Sequence, residues 1–126
     1  MIPKNKFLPG IAWFFLVLVL ICIPGSQFPK GNNWIDKFFV DKWVHAVLFG
    51  TLAYLIMLPI AKSALNKKSK LHFFIKISLA VSIWGLATEY IQKYFIPFRS
   101  FDWWDWAADA LGALAAYVII KKNTEE

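Results

Sequence analysis

The chain lacks the motifs that mark familiar soluble enzymes. It has a single cysteine, Cys22, and so can form no internal disulfide. There is no His-x-x-x-His pair, no glycine-rich phosphate loop and no Gly-x-Ser-x-Gly nucleophile turn. Arginine occurs once, at Arg99, and Asp and Glu together number only 8. These absences direct the search for a function toward a different class of protein.

The composition is that of a membrane protein. Hydrophobic residues make up 59% of the 126 residues, and 7 residues are tryptophan. A soluble domain of this size is far less apolar. Because each spanning helix needs roughly 20 residues, the chain has room for a single membrane domain, residues 1–126, with about four spans.

Four apolar segments follow one another along the chain. Pro24 and Gly25 end the first segment, and Pro59 is expected to interrupt the second near its end. The third stops before Pro97, because a residue that precedes proline avoids the helical conformation. We therefore predict an all-α membrane protein, a four-transmembrane-helix bundle with spans at about 7–23, 41–61, 71–95 and 102–120.

Basic residues are unequally shared between the two ends of these segments. Nine Lys lie at the ends that include both termini, and five Lys or Arg lie at the opposite ends. Since Lys and Arg favour cytoplasmic loops, both termini are expected to be cytoplasmic. The net charge of +6 follows from this bias, so no nucleic-acid partner is predicted. Tryptophans gather at the outward ends, where indole rings favour the headgroup boundary: Trp34, Trp43, Trp103, Trp104 and Trp106.

The second and third segments place ionisable groups inside apolar runs. Asp41 and His45 share a helical face, and His45 lies about 6 Å deeper. Asp41 can hold one imidazole nitrogen and leave the other as a base or metal ligand, or it can simply cap the helix. Glu89 and Gln92 also share a face. A carboxylate at that depth must be paired, neutralised or hydrated, which makes Glu89 either a functional group or half of an ion pair with Lys42 or Arg99.

The fourth segment carries three carboxylates on one stripe. Asp102, Asp105, Asp109 and Gly112 follow at steps of three, four and three residues. Helix capping explains Asp102 and Asp105. Asp109 lies about 10 Å below Asp102, where no capping role reaches, and is the strongest single candidate. Gly112 and the alanines around it make this helix thin enough for a neighbouring helix to approach closely.

All these polar groups belong to the segment ends that are predicted to face away from the cytoplasm. Arg99 is suited to bidentate capture of a phosphate or carboxylate, or to anchoring at the interface. A divalent cation is left open, but no metal ligand and no cofactor is assigned. The candidate catalytic residues are His45, Asp41, Glu89 and Asp109, and the candidate ligand-binding residues are Lys42, Gln92, Arg99, Asp102 and Asp105.

The order and spacing of these residues resemble the VanZ-like family of small bacterial membrane proteins. The pattern covers most of the chain from residue 41 onward, although the family usually has asparagine at the position of Asp109. The resemblance implies a multi-pass protein of the bacterial cytoplasmic (inner) membrane with a role in the cell envelope. The matching residues are Asp41-Lys42-x-x-His45-x-x-x-Phe49, then Glu89-x-x-Gln92, then Arg99-x-x-Asp102-x-x-Asp105-x-x-x-Asp109-x-x-Gly112.

Three functions remain open at this point. The outward polar pocket can bind an anionic envelope lipid or lipid-linked cell-wall precursor. It can instead be a membrane-embedded His/carboxylate enzyme, with His45 as general base. The third function is non-catalytic, with buried pairs that specify the helix arrangement of a structural or assembly factor. A proton-coupled transporter is a more remote fourth. The family is named for a protein that lowers susceptibility to teicoplanin, a glycopeptide antibiotic, but many members occur outside any resistance context, so resistance is one phenotype that the resemblance allows.

Overall fold

The fold is all-α, as predicted. The computed structural model describes residues 2–22, 34–97 and 101–125, except for the side chains of 34–41 and 125. A single 3-10 turn, Lys4–Phe7, leads into the first of four helices. The helices are α1 (Leu8–Ile21), α2 (Trp34–Ala61), α3 (Lys67–Phe95) and α4 (Trp103–Glu125).

Local sequence explains where several helices begin and end. Pro9 lies in the first turn of α1, where its missing N–H is not needed. The side chain of Asn66 caps α3 by accepting a 2.8 Å hydrogen bond from the Ser69 N–H. At the other end of α3, Ile96 is extended ahead of Pro97, so this helix ends where the sequence predicted.

The predicted second span, about 41–61, agrees with the apolar stretch Lys42–Ala61, but the interruption predicted at Pro59 is wrong. The helix itself begins earlier, at Trp34, because the residues before 41 contain no helix breaker, although Asp36 and Lys37 separate them from the longer apolar run. It also continues through Pro59 to Ala61 without ending. Pro59 has no N–H to donate to the Leu55 carbonyl, so α2 loses one backbone hydrogen bond there and ends two residues later.

Within the described parts of the chain, three helical stretches are long and apolar enough to cross a membrane, namely Lys4–Ile21, Lys42–Ala61 and Lys67–Phe95. The 23 residues of α4 give a length of about 34 Å, but this helix also carries Asp105 and Asp109. Large apolar side chains cover the outside of the described bundle, as a lipid-facing surface requires. Among them are Leu79, Ile83, Leu111 and Val118, each more than half exposed.

The most extensive helix pairing, between α2 and α4, depends on glycine. A Cβ built on Gly112 would lie 2.2 Å from the Ala46 carbonyl oxygen, and one built on Gly50 would lie 2.9 Å from the Gly112 carbonyl oxygen. Only glycine at these positions allows the two backbones to approach so closely. The close helix approach that small residues predicted for the fourth segment is therefore observed. This close packing brings the polar faces of α2 and α4 together.

Candidate functional site

Two basic residues of α2 face three carboxylates at the start of α4. The Nζ of Lys42 donates a 2.9 Å hydrogen bond to Asp102 Oδ2 and a second hydrogen bond to Asp105 Oδ1. One turn deeper, His45 Nδ1 lies 2.9 Å from Asp109 Oδ1, and His45 Nε2 lies 3.5 Å from Asp105 Oδ2. Lys42 and His45 are three residues apart on α2, and the three aspartates follow at steps of three and four residues on α4, so each set lies on one face of its helix. We call these five residues the charged ladder.

The upper end of the ladder also caps α4. Asp102 Oδ1 accepts a 2.9 Å hydrogen bond from the Trp104 N–H, which is the role that helix capping predicted. Asp102 Oδ2 also accepts the hydrogen bond from Lys42, so this residue links the cap of α4 to α2.

The lower end of the ladder meets α3. One donor atom from each of His45, Glu89 and Asp109 lies within 4.8 Å of the other two, and all three residues are buried. Glu89 and Asp109 are each 0% exposed. We call these three residues the buried triad. Each comes from a different helix, so the sequence-predicted convergence of ionisable groups from three segments is present in the structure.

Two carboxylate oxygens of the buried triad are not satisfied. Glu89 Oε2 accepts a 3.1 Å hydrogen bond from the Asp102 N–H, and Asp109 Oδ1 contacts His45. Within the described residues, Glu89 Oε1 and Asp109 Oδ2 are buried and have no hydrogen-bond partner. Buried polar atoms in folded proteins are nearly always paired, so these two oxygens require a proton, a water molecule or a cation.

Sequence reasoning missed Gly85, which makes room for Asp109. A Cβ built on Gly85 would lie 2.9 Å from both Cβ and Oδ2 of Asp109. Thr88 is also fully buried beside the triad, and its hydroxyl donates a 2.7 Å hydrogen bond to the Gly85 carbonyl. Gly85 lies four residues before Glu89 and therefore on the same face of α3, and this spacing was the available signal.

Other predicted site residues lie elsewhere or are not described. Gln92 is buried, but its amide donates a 3.2 Å hydrogen bond to the Ile21 carbonyl and so ties α3 to the end of α1. The side chain of Asp41 and the whole of Arg99 lie outside the described residues. Asp109 contacts Nδ1 of His45, and the pairing of Asp41 with His45 stays a prediction.

An apolar groove of about 670 Å³ runs along the α2–α4 pairing and begins beside the charged ladder. Lys42 and Trp43 lie at one end of its lining, and Ile119 lies far along α4. Most of the lining between them is small or apolar, including Ala46, Gly50, Ala108, Gly112 and Ala115. The groove and the ladder share Lys42, so the polar and apolar parts of this region are continuous.

The described part of the site is rich in acid. Four carboxylates, those of Glu89, Asp102, Asp105 and Asp109, face two basic side chains, those of Lys42 and His45. Such a cluster can hold a cation or exchange a proton. Comparison with protein-family models, with curated proteins and with solved structures gave no match to this chain. The VanZ-like resemblance therefore stays a prediction.

Proposed function

We propose that this chain is a VanZ-like protein of the bacterial cytoplasmic membrane that binds an envelope lipid or a lipid-linked cell-wall precursor. The chain crosses the membrane four times with both termini in the cytoplasm, and the charged ladder opens on the outer side. The observation that carries this proposal is the continuity of the groove with the ladder at Lys42. An amphiphile with an apolar tail and a polar headgroup requires these two surfaces side by side.

The packing of α4 supports a fourth span. Its acidic side chains do not point toward the surrounding lipid, because Asp109 is fully buried and Asp105 contacts Lys42 and His45. The remaining outer face carries apolar residues such as Leu111 and Val118. Charged groups within membrane helices are tolerated when they face the bundle interior and pair with one another.

The topology can be tested by cysteine labelling. In a Cys22→Ser background, a cysteine at Trp103 is expected to react with a membrane-impermeant maleimide added to intact cells, because Trp103 lies beside the ladder and is exposed. A cysteine at Asn66, between α2 and α3, should react only after the membrane is permeabilised. Labelling of both positions, or only of Asn66, in intact cells would contradict the proposed orientation.

The lipid proposal predicts that blocking the groove reduces lipid retention. Ala115 lines the groove and is exposed, so Ala115→Trp fills the groove without entering the helix packing. We expect several-fold less polyprenyl phosphate and phosphatidylglycerol to remain with the purified variant, as measured by mass spectrometry of native membrane discs. Ala80→Trp is the matched control, because Ala80 is exposed on α3 and does not line the groove. Equal retention by the two variants would refute lipid binding in the groove.

One observation favours a catalytic version of this function. The 2.9 Å contact between Asp109 and His45 orients the imidazole as a carboxylate orients the general base in hydrolytic sites. In this version, His45 removes a proton from a hydroxyl group or water beside the lipid headgroup. A purified protein that binds the probe lipids but leaves them chemically unchanged would favour binding alone. Lower teicoplanin susceptibility in an expressing strain is the phenotype to measure.

A further inference from the structure

The buried triad has the composition of a small metal site. Its donors are one imidazole and two carboxylates from three helices, with donor atoms within 4.8 Å of one another. Metal–ligand bonds of about 2.1 Å place the donors of a mononuclear site roughly 3 to 4 Å apart. His45 Nδ1 and Asp109 Oδ1 are already 2.9 Å apart, and donors at 4.8 Å would have to move about 1 Å closer to share one ion.

The unsatisfied oxygens are an independent sign of a ligand. Glu89 Oε1 and Asp109 Oδ2 belong to fully buried side chains and have no hydrogen-bond partner among the described residues. Acidic clusters on protein surfaces are common, but these two oxygens are enclosed between helices and have lost hydration without gaining a donor. Such a loss is costly unless something else binds there.

Charge balance favours a divalent ion. Two carboxylates in an apolar bundle carry a net charge of −2 when His45 is neutral, and the nearest described ammonium, that of Lys42, is bonded to Asp102 and Asp105. A divalent cation neutralises the two carboxylates and uses the neutral imidazole as its third donor. Asp105 lies 3.5 Å from His45 Nε2 and is close enough to orient the ring or to join the ligand set.

We propose that His45, Glu89 and Asp109 bind a divalent first-row transition metal ion such as Mn²⁺, Fe²⁺ or Zn²⁺. The imidazole favours Fe²⁺ and Zn²⁺, and the two carboxylates also suit Mn²⁺, whereas Mg²⁺ and Ca²⁺ prefer all-oxygen ligand sets. Three protein donors leave coordination positions open on the ion. This site is independent of lipid binding in the groove, because none of its three residues lines the groove.

Metal binding can be measured directly on the full-length protein. The protein is purified in detergent with a tag that contains no histidine, stripped with a chelator and titrated with Mn²⁺. We expect one Mn²⁺ to bind per chain. Pulsed electron paramagnetic resonance should then detect a coupled imidazole nitrogen. Both the titration and the resonance measurement use the wild-type protein and do not depend on whether a variant folds.

Variants test whether Mn²⁺ binds at the buried triad. Glu89→Gln keeps the side-chain shape and is expected to weaken Mn²⁺ binding by at least tenfold. His72→Ala removes the other histidine, which is exposed on α3, and should leave both the affinity and the nitrogen coupling unchanged. Absence of Mn²⁺ binding to the wild-type protein would overturn the proposal and leave protons on the two carboxylates as the explanation. Binding that lacks a histidine coupling, or that survives Glu89→Gln unchanged, would overturn it equally.

Discussion

Replacing Gly112 with alanine should destabilise the bundle by about 3 kcal/mol or more. The added Cβ would lie 2.2 Å from the backbone carbonyl oxygen of Ala46, so α2 and α4 must separate to relieve the clash. Overpacking against flexible side chains typically costs about 1–3 kcal/mol, and a backbone carbonyl can yield less than a side chain. Reversible unfolding in mixed detergent micelles, followed by circular dichroism, measures the change in the free energy of unfolding.

Gly10→Ala is the matched control. Its added Cβ would lie 3.2 Å from Cγ1 of Ile56, a side-chain atom that can move aside. Alanine also favours a helix over glycine by about 0.5–1 kcal/mol, so the net change at Gly10 should be close to zero. Equal effects of the two substitutions would mean that α2 and α4 do not pack at Gly112 as described.

Replacing His45 with leucine should destabilise the protein by about 3 kcal/mol. The substitution keeps most of the side-chain volume but removes the group that lies 2.9 Å from the fully buried Asp109. Breaking a buried pair by removing one partner typically costs about 3–5 kcal/mol, because the other partner is left without compensation. The same unfolding assay in mixed micelles measures the change in the free energy of unfolding.

A second substitution separates pairing from packing. His45→Leu combined with Asp109→Ala removes both partners, and we expect the double variant to recover most of the lost stability. His72→Leu, at an exposed position on α3, should change stability by less than about 0.5 kcal/mol. The Asp109→Ala single variant completes the comparison. If the double variant loses as much stability as the His45→Leu and Asp109→Ala variants lose together, His45 and Asp109 do not interact.

The helices could be predicted from the sequence because their signals are local. Pro97 fixed the end of α3, and the apolar runs gave the other helices to within a few residues, apart from the beginning of α2. That beginning could not be found from hydropathy, because the charged residues Asp36, Lys37 and Asp41 separate the apolar residues after Trp34 from the longer apolar run. Pro59 misled the prediction in a different way. Proline usually breaks a helix, but α2 continues through Pro59 and ends at Ala61.

Spacing predicted several residues that lie together in the described site, but it did not predict how they pair. Spacing placed Asp102, Asp105 and Asp109 on one face, and this face does meet α2. The partner of His45 depends on how two helices are positioned relative to each other, and no single-helix pattern contains that information. The contact between Gln92 and the end of α1 escaped prediction for the same reason.

The most direct measurement is the environment of the His45 imidazole in a lipid bilayer. In a His72→Gln background, ¹⁵N-labelled histidine reports on His45 alone, and ¹³C-labelled aspartate supplies the carboxyl carbons for solid-state magnetic resonance. We expect a strong dipolar coupling between Nδ1 and a carboxyl carbon that disappears in Asp109→Ala, since Nδ1 lies 2.9 Å from Asp109 Oδ1. An imidazole with no carboxyl carbon nearby, or one exposed to lipid, would contradict the convergence of α2 and α4 on a buried polar site.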